Sequence, residues 1–78
     1  MVEDADTVSF RVSTPHLTTA IEILREQGGL AAHPEAYQAL VLERSRRELQ
    51  SPPQEVRLAR DAYVALPPEV RRLLAEGT

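Results

Sequence analysis

The sequence predicts a mainly α-helical fold with one N-terminal β-strand, and three observations carry that expectation. First, Thr7-Val8-Ser9-Phe10-Arg11-Val12-Ser13 alternates with a period of two: Val8, Phe10 and Val12 fall on one side, Ser9, Arg11 and Ser13 on the other. Alternation with β-branched and aromatic residues marks a half-buried strand. Second, apolar residues after Thr14 recur at helical spacing. Third, those stretches are punctuated by Pro15, Gly28-Gly29, Pro34, Pro52-Pro53 and Pro67-Pro68, residues that open or close helices.

A lone strand leaves backbone donors and acceptors unpaired, and such an edge seeks a partner. With no second strand read in the chain, the same strand of another copy is the expected partner. The expectation is an obligate homodimer joined through the N-terminal strand by an intermolecular β-ribbon.

The elements follow in order. Residues 1–6 read as a disordered acidic leader, with Glu3, Asp4 and Asp6. After the strand, Thr14 is an N-cap candidate and Pro15 suits the first helical position. Leu17, Ala20, Ile21 and Leu24 then share a face, and Gly28-Gly29 ends this helix. Leu30-Ala31-Ala32-His33 reads as a connector. Pro34 opens a second helix with Glu35 in its first turn, where the helix dipole favours an acid. Its apolar stripe runs through Tyr37, Leu40 and Val41, with Leu42 and Leu49 as further candidates. Arg44, Arg46 and Arg47 crowd its last turns, where they are expected to pair with Glu43 and Glu48. A third helix is predicted from Pro52, capped by Ser51, with Val56, Ala59, Tyr63 and Leu66 on one face. A fourth carries Val70, Leu73 and Leu74 and ends at Gly77. This gives a leader at 1–6, a dimerisation domain at 7–50 and a helical extension at 51–78.

Composition bounds the function. Seventy-eight residues make one small domain with a marginal core, for which oligomerisation is a common remedy. The absence of cysteine excludes disulfides and thiolate metal sites. No apolar run is long enough for a membrane span, and the acidic start lacks the pattern of a signal peptide, so a cytoplasmic protein with no membrane contact is expected. The formal charge is −3. The excess acid lies in the leader, because five arginines balance five glutamates over 7–50 and four arginines balance four acids beyond. All nine basic residues are arginine, which a GC-rich genome explains more simply than selection for bidentate recognition.

Chemistry is sparse. His16 and His33 have no partners at metal-ligand spacing, so no metal is expected. No glycine-rich phosphate loop and no nucleophile–base spacing is present, so neither an enzyme nor a cofactor is expected.

The order of strand, capped helix, glycine break and second helix resembles the ribbon-helix-helix (Arc/MetJ-type) DNA-binding family over residues 7–49. Ser9-Phe10-Arg11-Val12-Ser13-Thr14-Pro15 is similar to its strand followed by a proline-initiated helix. Glu26-Gln27-Gly28 is similar to the glycine-terminated end of its first helix, and Glu35-Ala36-Tyr37-Gln38 to the start of its second. The resemblance implies a ribbon-helix-helix dimer with a helical C-terminal extension, acting as a small transcriptional regulator. The intermolecular ribbon would lie in the major groove of double-stranded DNA, with Ser9, Arg11 and Ser13 contacting bases. The connector Gly28-Gly29-Leu30-Ala31-Ala32-His33-Pro34 departs from the family's Gly-x-Ser/Thr/Asn turn, which removes the side chain that helps hold a phosphate.

Antitoxins resembling this family wrap a cognate toxin with a C-terminal segment, a role open to residues 52–76. The plainer reading is that these proline-capped helices complete the dimer's own core. A different class remains beside the regulator. The near-neutral body suits a protein-interaction module that docks onto a larger partner through its strand or C-terminal helices, without DNA.

Overall fold

The computed structural model describes residues 6–76. The acidic leader expected at 1–6 lies outside them apart from Asp6, as does Gly77 at the expected end of the last helix. The order is β1 (Thr7–Phe10), α1 (Thr14–Glu26), α2 (Gly29–Ala32), α3 (Pro34–Glu48), β2 (Val56–Ala59), α4 (Arg60–Val64) and α5 (Pro68–Glu76). The chain is thus mainly helical with a short two-stranded sheet, in line with the helical class the sequence predicts.

The third helix expected from Pro52 is corrected. Residues 52–55 carry no helix, and Val56–Ala59 forms a strand. Its antiparallel partner is β1, in the register Thr7↔Ala59, Val8↔Leu58, Ser9↔Arg57 and Phe10↔Val56. The premise that the first strand has no mate within the chain is corrected with it. The short window Val56-Arg57-Leu58-Ala59 fits both a strand and a helix face, and periodicity alone does not separate them. The backbone of β1 decides, because its N–H and C=O groups need partners and Val56–Ala59 supplies them. Pro52-Pro53 helps, since proline keeps the residue before it out of helical geometry.

One hydrophobic core joins both halves of the chain. Phe10 and Val12 from the N-terminal segment, Leu17, Ala20, Ile21 and Leu24 from α1, and Ala36 and Leu40 from α3 meet Val56, Leu58, Leu66, Val70 and Leu74. Helix α1 packs against α3 and α5, and β2 packs against α3. The Phe10 and Tyr63 rings lie 6.0 Å apart, tilted by 45°, within the range of favourable aromatic pairs. Residues 51–76 are therefore built into the core. Leu66, Val70 and Leu74, which a toxin-wrapping segment would have to offer outward, point inward.

The helix ends show why the chain turns where it does. Ser13, rather than Thr14, is the N-cap of α1, with Pro15 in the first turn. Gly28 takes φ +112° and Gly29 φ +55°. A Cβ added at Gly28 would stand 2.6 Å from the Ala32 Cβ, so the turn into α2 needs glycine on both conformational and steric grounds. Gly28→Ala is expected to destabilise the fold by about 1–2 kcal/mol, the cost of left-handed backbone for a residue with Cβ, measured as a lower urea midpoint. The far end of α3 closes with Gln50 at φ +68°. Its N–H donates to the Arg47 carbonyl at 2.9 Å and the Ser51 N–H to the Arg46 carbonyl at 3.0 Å. This is the Schellman pattern, with glutamine at the position glycine usually fills.

Candidate nucleic-acid interface

The β1–β2 pair presents two faces. Val8, Phe10, Val56 and Leu58 turn toward the helices. The opposite face carries Ser9 beside Arg57, both exposed. Alternation continues past the end of β1, so Arg11 is exposed while Val12 is buried. Ser9, Arg11 and Arg57 therefore share the outer side of one ribbon. Arg11 and Arg57 are exposed, and among the described residues neither side chain makes an ion pair or hydrogen bond. Glu55, also exposed, follows on the β2 side.

Two of the three base-contact candidates are thus brought together, and the third is not. Ser13 has left the ribbon for the start of α1, where its hydroxyl is 2.7 Å from the His16 Nδ1. Arg57 was missed because a helix was read across it. The signal that could have found it is the period-two run Val56-Arg57-Leu58.

Helix α3 holds the other edge of the ribbon with two carboxylates. The Ala59 N–H donates to Glu35 Oε2 at 2.8 Å, and the Gln54 N–H donates to Glu43 Oε2 at 3.0 Å. The eight-residue step from Glu35 to Glu43 spans about 12 Å of helix, at about 1.5 Å per residue. The strand segment runs antiparallel to the helix, so each acid meets one end of it. Because the Ala59 N–H points to α3, the Ala59–Thr7 pair is one whose backbone groups face away from each other. By alternation, the Ser9–Arg57 pair is another, a spacing that brings cross-strand side chains close together.

Glu43 is the densest of these junctions. It is buried, with 4% of its surface exposed. Its Oε1 accepts from Arg46 Nη1 at 2.8 Å and its Oε2 from Arg47 Nε at 2.7 Å. Arg47 also donates through Nη1 to Thr14 Oγ1 at 3.2 Å, tying the end of α3 to the start of α1. Arg44 sits 3.9 Å from Glu48. The arginine cluster thus pairs with Glu43 and Glu48, as its spacing suggested. Burial acts to raise the Glu43 pKa. The Gln54 N–H and the two guanidinium groups outweigh it and hold the carboxyl below its ordinary value.

The remaining expected features fall as follows. His33 is the N-cap of α3. Among the described residues, no group of three or more His, Cys, Asp or Glu is placed to hold a metal ion. No helix among them is long and apolar enough to cross a membrane. Compared with known proteins, the chain matches no family model, no curated protein and no solved structure.

Proposed function

We propose that this protein is a DNA-binding regulator that lays the outer face of its ribbon in the major groove. The observation carrying this reading is the juxtaposition of Arg11 and Arg57, exposed and without an ion pair among the described residues, with Ser9 on the outer face of a two-stranded ribbon backed by helices. A two-stranded ribbon has the width the groove admits, and arginine can hydrogen-bond guanine through two donors. The ribbon-helix-helix resemblance supports the same reading mode. In that family's arrangement the second strand would come from another copy. Here one chain supplies both strands, and a further copy paired on the outer edge of β1 would make a four-stranded sheet, broader than the groove accepts. One chain's ribbon is therefore the reading unit in this proposal, and Ser13 belongs to the helix start beside it.

The test is selection of duplexes from a random pool, followed by binding titrations across a salt series. Arg11→Ala and Arg57→Ala should each weaken binding by about 1–3 kcal/mol if they contact bases, and each should lower the salt slope by about 1. Far-ultraviolet circular dichroism should be unchanged, since both side chains are exposed. Failure to select any duplex, or unchanged binding by the double variant, would sink the reading.

A second reading is favoured by a separate observation. Leu30, Leu42, Leu49 and Val64 are large apolar side chains more than half exposed. Scattered exposed leucines are ordinary, but four exposed apolar side chains on so small a domain, with Leu42 beside two grooves, suit a protein-interaction module. In that case Arg11→Ala and Arg57→Ala would change nothing, and changes at these apolar positions would abolish partner capture.

A further inference from the structure

We propose that a second copy of this chain docks on the exposed flank of α3, antiparallel to it, with the exposed leucines of each copy seated against the small residues of the other. The inference does not depend on DNA binding, since none of the residues involved lies on the ribbon's outer face. It starts from spacing. Glu35, Ala39, Leu42, Arg46 and Leu49 follow one another along α3 and its C-cap at intervals of four and three, the repeat that places residues along one side of a helix that meets another, and Ala32 at the end of α2 precedes them. The core-facing residues of α3, Ala36, Leu40 and Glu43, lie about a quarter turn round the helix from this stripe, and Ala39, at the inner margin of the stripe, is half-buried against the core.

The exposed stripe is asymmetric along its length. Its N-terminal half has small residues and an acid. Its C-terminal half has two leucines and a cation. Leu42 is 62% exposed and Leu49 80%. Leu42 stands as a wall between two grooves. One, of about 530 Å³, is lined by Pro34, Glu35, Gln38, Ala39 and Leu42. The other, of about 210 Å³, includes Ala39, Leu42 and Arg46. A third groove, of about 300 Å³, contains Ala32 and continues from the first through Pro34 and Glu35.

Turning a second copy by 180° makes these halves complementary. When Ala39 faces Leu42 of the second copy, the same register sets Glu35 against Arg46 and carries Leu49 past the start of α3, toward the end of α2 where Ala32 lies. Each contact occurs twice, as an isologous interface requires. Both charged groups have capacity left for it. Glu35 engages Ala59 through Oε2 and Arg46 engages Glu43 through Nη1, leaving the other carboxylate oxygen and further guanidinium donors. A parallel pair would instead set leucine against leucine and acid against acid. The charge pattern therefore selects both the occupant and its direction.

The experiment is sedimentation equilibrium across a dilution series, on the full chain. The wild type is expected to reach dimer mass. Leu42→Asp and Leu49→Asp should each give a folded monomer with unchanged circular dichroism, since both positions are exposed. Leu30→Asp, an exposed leucine off the stripe, should leave the dimer intact. A nitroxide at Glu48→Cys then reads direction. The antiparallel register separates the two labels by roughly 22 Å along the helices, whereas a parallel pair adds no separation along them and gives the shorter label distance. A wild type that stays monomeric at its highest soluble concentration, a dimer that survives both aspartates, or the short label distance would each overturn the proposal.

Discussion

Truncation after Leu49 is expected to abolish folding altogether. A helical extension added to a finished domain would leave residues 6–49 cooperative, with a modest loss of stability. The structure points the other way. Removing residues 50–78 strips Val56, Leu58, Leu66, Val70 and Leu74 from the one core. It also leaves β1 without its partner and exposes Phe10 and Val12. Each buried valine or leucine contributes about 1.5–3 kcal/mol of transfer free energy, so five of them contribute roughly 7–15 kcal/mol. That matches or exceeds the whole net stability of an ordinary domain, about 5–15 kcal/mol. The check is a urea titration followed by circular dichroism. The full chain should give one sigmoidal transition, and the truncated chain should give none. A cooperative transition from the truncated chain would mean that the N-terminal segment has a self-sufficient core, against the packing described.

The second large effect is expected at Glu43. Glu43→Gln should cost roughly 3 kcal/mol, the lower end of what breaking a buried ion pair costs. Arg47 is the reason. Both members of the Glu43–Arg47 pair have only 6% of their side-chain surface exposed, and after the change Arg47 would retain Thr14 and a single neutral amide oxygen. Arg46 adds less, because its side chain is 32% exposed and can turn to water. The effect should depend on pH with a definite sign. The folded-state pKa of Glu43 lies below its ordinary value of 4.5. The unfolded chain thus binds the proton more readily, and the carboxylate's contribution is fully present above that ordinary value. It is lost as pH falls through the lowered folded value. Thermal melts of wild type and Glu43→Gln should differ most at neutral pH and converge in acid. A difference that stays constant across the acid range would show that the charge of Glu43 is not what holds the junction.

The sequence made some of this architecture legible, and the reasons for the rest are physical. The buried face of α1 followed from Leu17, Ala20, Ile21 and Leu24, because one helix face against one core is a local pattern. The arginine–glutamate pairing at the end of α3 was legible because it lies within one helix. The strand at Val56 was not, since four residues carry too few periods to separate 2.0 from 3.6. Its identity depends on β1, far away in the chain. Glu35 read as a dipole-favoured acid in a first turn, and nothing local reveals that its carboxylate meets the Ala59 N–H. Arg57 was hidden for the same reason as β2. Arg11 and Ser9 kept the outward positions their alternation indicated, while Ser13 was taken by the helix start. Where a residue's role rests on its own neighbours in sequence it could be read, and where it rests on a distant backbone group it could not.

The pairing of β1 with β2 also has a consequence for biosynthesis. The first strand leaves the ribosome early, and the strand that completes it is made about 45 residues later, a delay of roughly 2–9 s at translation rates of 5–20 residues per second. Throughout that interval Val8, Phe10 and the edge of β1 have only α1 and α3 for cover. Nascent chains of this protein therefore pass through a stage with an open strand and an unfinished core, the condition under which neighbouring chains on a polysome pair wrongly. Slower elongation through residues 50–59 would lengthen that stage and lower the soluble yield.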